Sequence, residues 1–242
     1  MERNKYKITN ILESKALALA DRTKAKALDS NSIYEVAMSN KTYKIQFQIN
    51  SYWQAGTGYG GGALSDSLVN KDINGLPFLP GRTIKGLMRD AVYRIQEWGH
   101  IPKETTHSFF GSLPLEKGIT RLETESGALA ISDAILPEEI TTWLSHPDNT
   151  EIRQGLFKQI SSTAINPETG SAKNQSLRAI EVSIPLTLTA TLTVLNEQTL
   201  NQLDWGTGKT WKEGLKSSLK LIRAVGASRN RGLGRVIVTF KG

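Results

Sequence analysis

Residues 183–195 place Ile184, Leu186, Leu188, Ala190, Leu192 and Val194 at every second position, with threonine at most of the positions between them. Side chains of a strand alternate between two faces, whereas a helix would scatter this set around its circumference, so the segment reads as a β-strand with one face buried. The interleaved threonines are β-branched and favour a pleated backbone over a helical one. A second alternation, over 42–50, sets Tyr43, Ile45, Phe47 and Ile49 against Lys44, Gln46, Gln48 and Asn50. A sheet with one apolar face therefore anchors the fold, and other elements must cover that face.

Helical periodicity supplies the cover. Over 82–98, Ile84, Leu87, Met88, Ala91, Val92 and Ile95 recur at helical spacing with Arg82, Lys85, Arg89 and Arg94 between them, and 211–225 reads as a second helix. A short apolar run at 128–136, closed by Pro137, reads as a strand, and 235–240 closes the chain as another. The order strand, helix, strand, strand, helix, strand predicts an α+β, ferredoxin-like (RRM-like) βαββαβ core: an antiparallel sheet with two helices on one face. Two insertions interrupt it, a long loop at 55–80 and a polar, turn-rich excursion at 151–182. Residues 1–41 differ from the 42–242 domain: Ile11, Leu12, Leu19, Ala20, Ala27 and Leu28 lie at helical spacing among Lys and Arg, which predicts a helical or extended arm.

Composition narrows the function. The 242 residues contain no cysteine, which excludes disulfides, thiolate metal sites and cysteine nucleophiles. No apolar run approaches the roughly 20 residues that span a bilayer, and no signal-like segment opens the chain, so a cytoplasmic location without a membrane partner is expected. Thirty Lys and Arg against 23 Asp and Glu give a formal charge of +7, which suits a polyanion only if the charge is concentrated.

Two segments concentrate it. Residues 223–235 carry Arg223, Arg229, Arg231 and Arg235 with Gly226, Gly232 and Gly234 and no acid. Glycines let a backbone approach a phosphate and arginine forks bind its oxygens, although the same residues suit a solvated glycine-rich turn. In the second segment, Pro80-Gly81-Arg82-Thr83-Ile84-Lys85-Gly86-Leu87-Met88-Arg89, Thr83 can cap and Lys85 and Arg89 share one face near a helix start that favours anions. Other signals fall away. Gly206-Thr-Gly208-Lys209-Thr210 lacks the first glycine of a P-loop and reads as a helix cap. His100, His107 and His146 have no ligand spacing, the tryptophans are scattered, and the final strand lacks the aromatic signature of an RRM.

The stretch Gly75-Leu-Pro-Phe-Leu-Pro80-Gly81-Arg-Thr-Ile-Lys-Gly-Leu-Met-Arg89 and the loop Arg229-Asn-Arg231-Gly232-Leu-Gly234-Arg235 together resemble the paired motifs of the RAMP superfamily of CRISPR proteins, at the start of the first helix and after the second. The loop after strand one most resembles that of the repeated backbone subunit of type III effectors. The resemblance implies partners: a CRISPR guide RNA, a target RNA and other RAMP subunits stacked along the guide. It implies RNA-binding roles for Arg82, Lys85, Arg89, Arg178, Gly226, Arg229, Arg231, Gly232, Gly234 and Arg235. It also implies that Asp66, six residues before Asp72, is the catalytic residue for target cleavage and the ligand of a divalent cation such as Mg²⁺, while Asp72 fixes the loop. The excursion at 151–182 then corresponds to a thumb that wedges into the guide–target duplex. Three rivals stand beside this expectation: a RAMP subunit that binds without cutting, a CRISPR-RNA-processing endonuclease, and an RNA-binding module unconnected with CRISPR.

Overall fold

The computed structural model describes residues 41–60, 66–112 and 124–241, so the expected arm at 1–41 lies outside the described residues apart from Lys41. Strand β1 (Thr42–Ile49) follows the expected alternation, with Ile45, Phe47 and Ile49 buried. It is central in a four-stranded antiparallel sheet, flanked on one side by β5 (Thr187–Val194) and on the other by β6 (Val236–Lys241). Strand β2 (Leu129–Ile131) adds to the outer edge of β5, giving the order β2-β5-β1-β6. Counting only these strands, the order is that of the ferredoxin-like fold, with each helical crossover skipping one strand.

Helices α1 (Gly81–Glu97) and α6 (Trp211–Leu219) pack beside each other on the apolar face. Ile84, Met88, Ala91 and Val92 of α1, and Trp211, Leu215 and Leu219 of α6, close over Ile45, Phe47, Leu188, Ala190, Leu192 and Phe240. Each such aliphatic side chain contributes about 1.5–3 kcal/mol on full burial. Short helices α2 (Thr105–Phe110), α3 (Glu138–Ser145), α4 (Thr150–Gly155) and α5 (Glu197–Asn201) fill the connections. Phe109 and Phe110 of α2 extend the core toward Trp205.

Several boundaries differ from the sequence expectation. The strand expected at 183–195 is regular only from Thr187 to Val194 (β5): Pro185 lacks a donor, and Ser183 before it already ends β4 (Arg178–Ser183), which pairs with β3 (Phe157–Ser162) in a separate hairpin. That hairpin, with the connecting residues 163–177, is the excursion expected at 151–182. The second helix stops at Leu219 rather than 225; Ile222 and Val225 remain buried, which gave the segment its helical spacing, yet Val225 pairs instead with Gly234. The strand expected over 128–136 is regular only at Leu129–Ile131, with single bridges at Ala134 and Ile135. Among the described residues, no helix is long and apolar enough to cross a membrane.

Candidate nucleic-acid interface

The glycine-rich loop is held by the segment that follows β1. Ala227 N–H donates to Gln54 O at 2.7 Å, Gly234 N–H to Tyr52 O at 2.7 Å, Val225 N–H to Gly234 O at 2.9 Å, and Arg235 N–H to Ser51 Oγ at 2.9 Å. Gly226 and Gly234 have φ of +80° and +70°, and a Cβ at either would collide with protein backbone, the Gln54 carbonyl and the Val225 carbonyl respectively. The close approach that demands these two glycines is therefore made by the chain itself. Gly232, at φ +85°, has open space around it. It follows a single 3₁₀ turn, Arg229–Arg231, whose arginines are exposed, as is Arg235. The docked glycines thus project a short cationic tip into solvent.

Helix α1 begins where Gly81 abuts β2, a Cβ there coming within 2.7 Å of Ile131 O. Its cap is not Thr83: Pro80 occupies the N-cap position, and Asp133 Oδ1 accepts from Gly81 N–H at 2.7 Å. With 100° per residue, Arg82, Lys85 and Arg89 lie along one flank of the helix, and Leu87, Asp90 and Arg94 along the other. The first flank faces an open cleft that Lys85 and Arg89 line with Phe110, Ser126 and Ile131. Arg89 is turned inward there, donating to Phe110 O at 2.7 Å beside the Phe110 ring. Burial and the neighbouring Arg89 charge hold the Lys85 ammonium below its ordinary pKa. The second flank faces Arg229 and Asn230 across a smaller groove. The two basic segments therefore form two surfaces separated by α1, because residues three or four apart on a helix share a flank and the glycine loop faces the other flank.

The loop after β1 carries the acidic candidate. Residues 66–69 run along β4 as an added strip: Ser67 bridges Ile180 in parallel fashion, Asp66 N–H donates to Ala179 O at 2.7 Å, and Asp66 Oδ2 accepts from Ala179 N–H at 2.8 Å. Asp66 is exposed and lies beside the Arg178 end of the hairpin. Further along, Glu181 accepts from Val69 N–H and pairs with Lys71 at 2.8 Å. Asp72 has the loop-fixing part expected of it: its Oδ1 accepts from Asn74 and Leu76 N–H, both at 2.8 Å. Thr210 and Glu213 form the capping box that makes Gly206–Thr210 a helix start.

One residue that the sequence did not single out joins these parts. Gln54 is buried; its carbonyl receives Ala227 of the glycine loop, while its Nε2 donates to Ser67 Oγ at 2.9 Å and Ser67 O at 3.2 Å. Beside it, Trp53 exchanges backbone hydrogen bonds with Ser183 at the hairpin base, and its indole donates to Ile184 O. A buried glutamine beside a buried tryptophan just after a strand was the available signal, but nothing in it names the partners. Tyr59, 78% exposed, stands on the same loop. Among the described residues, no three His, Cys, Asp or Glu side chains gather as a metal cage.

A family model described as the RAMP superfamily matches residues 49–237. The chain belongs to the RAMP superfamily. No curated protein matches it, so the remaining comparison is structural. A chain of the cryo-EM structure of the Type III-B Cmr-beta bound to cognate target RNA superposes with a TM-score of 0.57 at 9% identity, covering 83% of this RAMP protein and 97% of that chain. A chain of the Type III-B Cmr-beta in its apo state gives 0.54 at 10%, covering 82% and 96%. At such identities the likeness establishes the shared fold, and the RAMP match extends across both basic motifs and the Asp66 strip.

Proposed function

We propose that this RAMP protein is a guide-RNA-binding backbone subunit of a type III CRISPR effector and that it positions target RNA for cleavage at Asp66. The observation that carries the reading is the attachment of Asp66 to the β3–β4 hairpin through Ala179, in the same hydrogen-bonded assembly that holds the arginine tip through Gln54. Arg229, Arg231 and Arg235 on the tip, with Arg82 and Lys85 across α1, grip RNA phosphates; Arg178, exposed, directly precedes the Ala179 that bonds the carboxylate. Base pairing supplies sequence selectivity and the protein reads backbone shape. A carboxylate beside a kinked phosphate assists in-line attack by the ribose 2′-hydroxyl, and one carboxylate suffices for Mg²⁺, which completes its shell with water and substrate phosphates.

The test is cleavage of labelled target by the reconstituted ribonucleoprotein. Asp66→Asn retains an oxygen that accepts from Ala179 N–H and removes the charge; Asp66→Ala removes both. Both variants are expected to abolish cutting with target affinity unchanged. A second reading is a RAMP subunit that binds without cutting, in which the Ala179 hydrogen bond gives Asp66 a purely structural task; full cleavage by Asp66→Asn would remove Asp66 from the reaction. Binding is tested by salt titration: Arg229→Ala and Arg231→Ala each take away one partner of an RNA phosphate, and each should lower the logarithmic salt slope by about 0.7 on single-stranded RNA. Unchanged slope and affinity would make the tip ordinary surface.

A further inference from the structure

Leu87, Asp90 and Arg94 of α1 form one wall of a groove of about 350 Å³, and the segment after α6, with Leu221, Ile222, Arg223 and Arg229, forms the other. A volume of this order is that of a small-ligand site. Three arginines against one aspartate leave the groove an excess of positive charge, so its ligand carries negative charge. A bare phosphate is a poor match, because the Asp90 carboxylate repels it. A nucleotide reconciles the lining: Leu87, Leu221 and Ile222 offer apolar surface to a ring, the arginines a partner for the phosphate, and the carboxylate an acceptor for the edge of a base.

The state of Arg94 points to a ligand independently. Its Nη2 reaches Leu221 O at a long 3.4 Å and Asp90 Oδ2 at 3.1 Å, while its Nε is buried with no partner. An unpaired buried donor is costly, and the ion pair beside it is weak because the two side chains remain 41% and 62% exposed. The pair sets a guanidinium next to a carboxylate. Guanine alone among the RNA bases has two adjacent donors, N1–H and N2–H, for one carboxylate, with O6 beside them to accept from a guanidinium. Adenine, cytosine and uracil each lack the second donor. We propose that this groove binds an unpaired guanine nucleotide of RNA, its base edge on Asp90 and Arg94 and its phosphate on Arg223 and Arg229. The proposal rests on the RNA-binding reading and adds to it one base that the protein itself reads.

The test measures binding of the full chain to labelled short oligouridylates that carry one central guanosine, inosine, adenosine or cytidine, with free GMP as competitor. The guanosine strand is expected to bind about fivefold or more tightly than the adenosine and cytidine strands, the lower end of what one bidentate base contact discriminates. Inosine lacks only the N2 amino group and should fall to within about twofold of adenosine. In Asp90→Asn the preference should vanish while affinity for plain oligouridylate does not fall; Asp90 is exposed, and an unchanged melt confirms that the variant folds. The inosine strand reads the same contact on the parent chain, whatever the variant does. Equal binding of all strands, a preference that survives in inosine or in a folded Asp90→Asn, or binding of GMP with no preference among strands would each overturn the proposal. Equal, salt-dependent binding would leave the RNA reading intact, whereas failure of every strand to bind would remove both.

Discussion

Gly234→Ala and Gly232→Ala place the same methyl group in the same loop, two residues apart, at nearly the same backbone conformation, yet they are expected to differ severalfold in cost. Both residues have positive φ, +70° and +85°, so each alanine incurs about 1–2 kcal/mol for the left-handed conformation. At Gly232 nothing lies within 4 Å of the added carbon, and the cost ends there. At Gly234 the carbon would fall inside the Val225 carbonyl, and the neighbour is backbone that cannot rotate away. Relief requires separating Gly234 from Val225 and Tyr52, which sacrifices hydrogen bonds of 2.9 and 2.7 Å. At about 1 kcal/mol each, with more for any buried group left unpaired, the total reaches about 3–5 kcal/mol. For a domain of this size each kcal/mol moves the melting temperature by about 2–4 °C. Thermal melts followed by circular dichroism should therefore show Gly234→Ala about 6–20 °C below the parent and Gly232→Ala about 2–8 °C below it. Equal small shifts would refute the claim that the loop is docked by its glycines.

Lys85→Met should raise stability at neutral pH, because the folded environment disfavours the ammonium through burial and Arg89. The unfolded chain then binds the extra proton, so the parent gains stability as pH rises through the folded and then the unfolded lysine value. The advantage of the variant, measured as a melting difference, should shrink toward and above pH 10.5, the ordinary lysine value; a pH-independent difference would remove the electrostatic account. Gln54→Ala removes both hydrogen bonds to Ser67 and should cost about 1–3 kcal/mol in denaturant titration. In the assembled ribonucleoprotein it should slow target cleavage while leaving the salt slope of RNA binding unchanged.

The central strands were legible because each buries one face: the alternation of 42–50 and 187–194 is also the burial pattern of β1 and β5. Helix α1 was legible for the same reason at a period of 3.6. What failed was punctuation. Pro185 sits within an unbroken alternation, yet the regular strand begins only at Thr187, beyond the missing donor. Ile222 and Val225 are buried at helical spacing without being helical, since apolar spacing reports which residues face the core and not how the backbone reaches it. The glycines of the C-terminal loop announced a close approach, but sequence does not say what approaches, and for Gly226 and Gly234 it is the chain's own carbonyls. The basic residues were found individually; their division between two flanks of α1 required knowing on which side of that helix α6 and its following loop pack.

Gln54 gives the molecule a fixed gauge. One end of this residue is fastened to the arginine tip through Ala227 and the other to the Asp66 strip through Ser67, so the spacing between the tip and the Asp66 carboxylate is set by short, directional bonds. Lengthening the glycine run that begins at Gly60 should therefore leave that spacing untouched, whereas a one-residue insertion between Trp53 and Gln54 should change it.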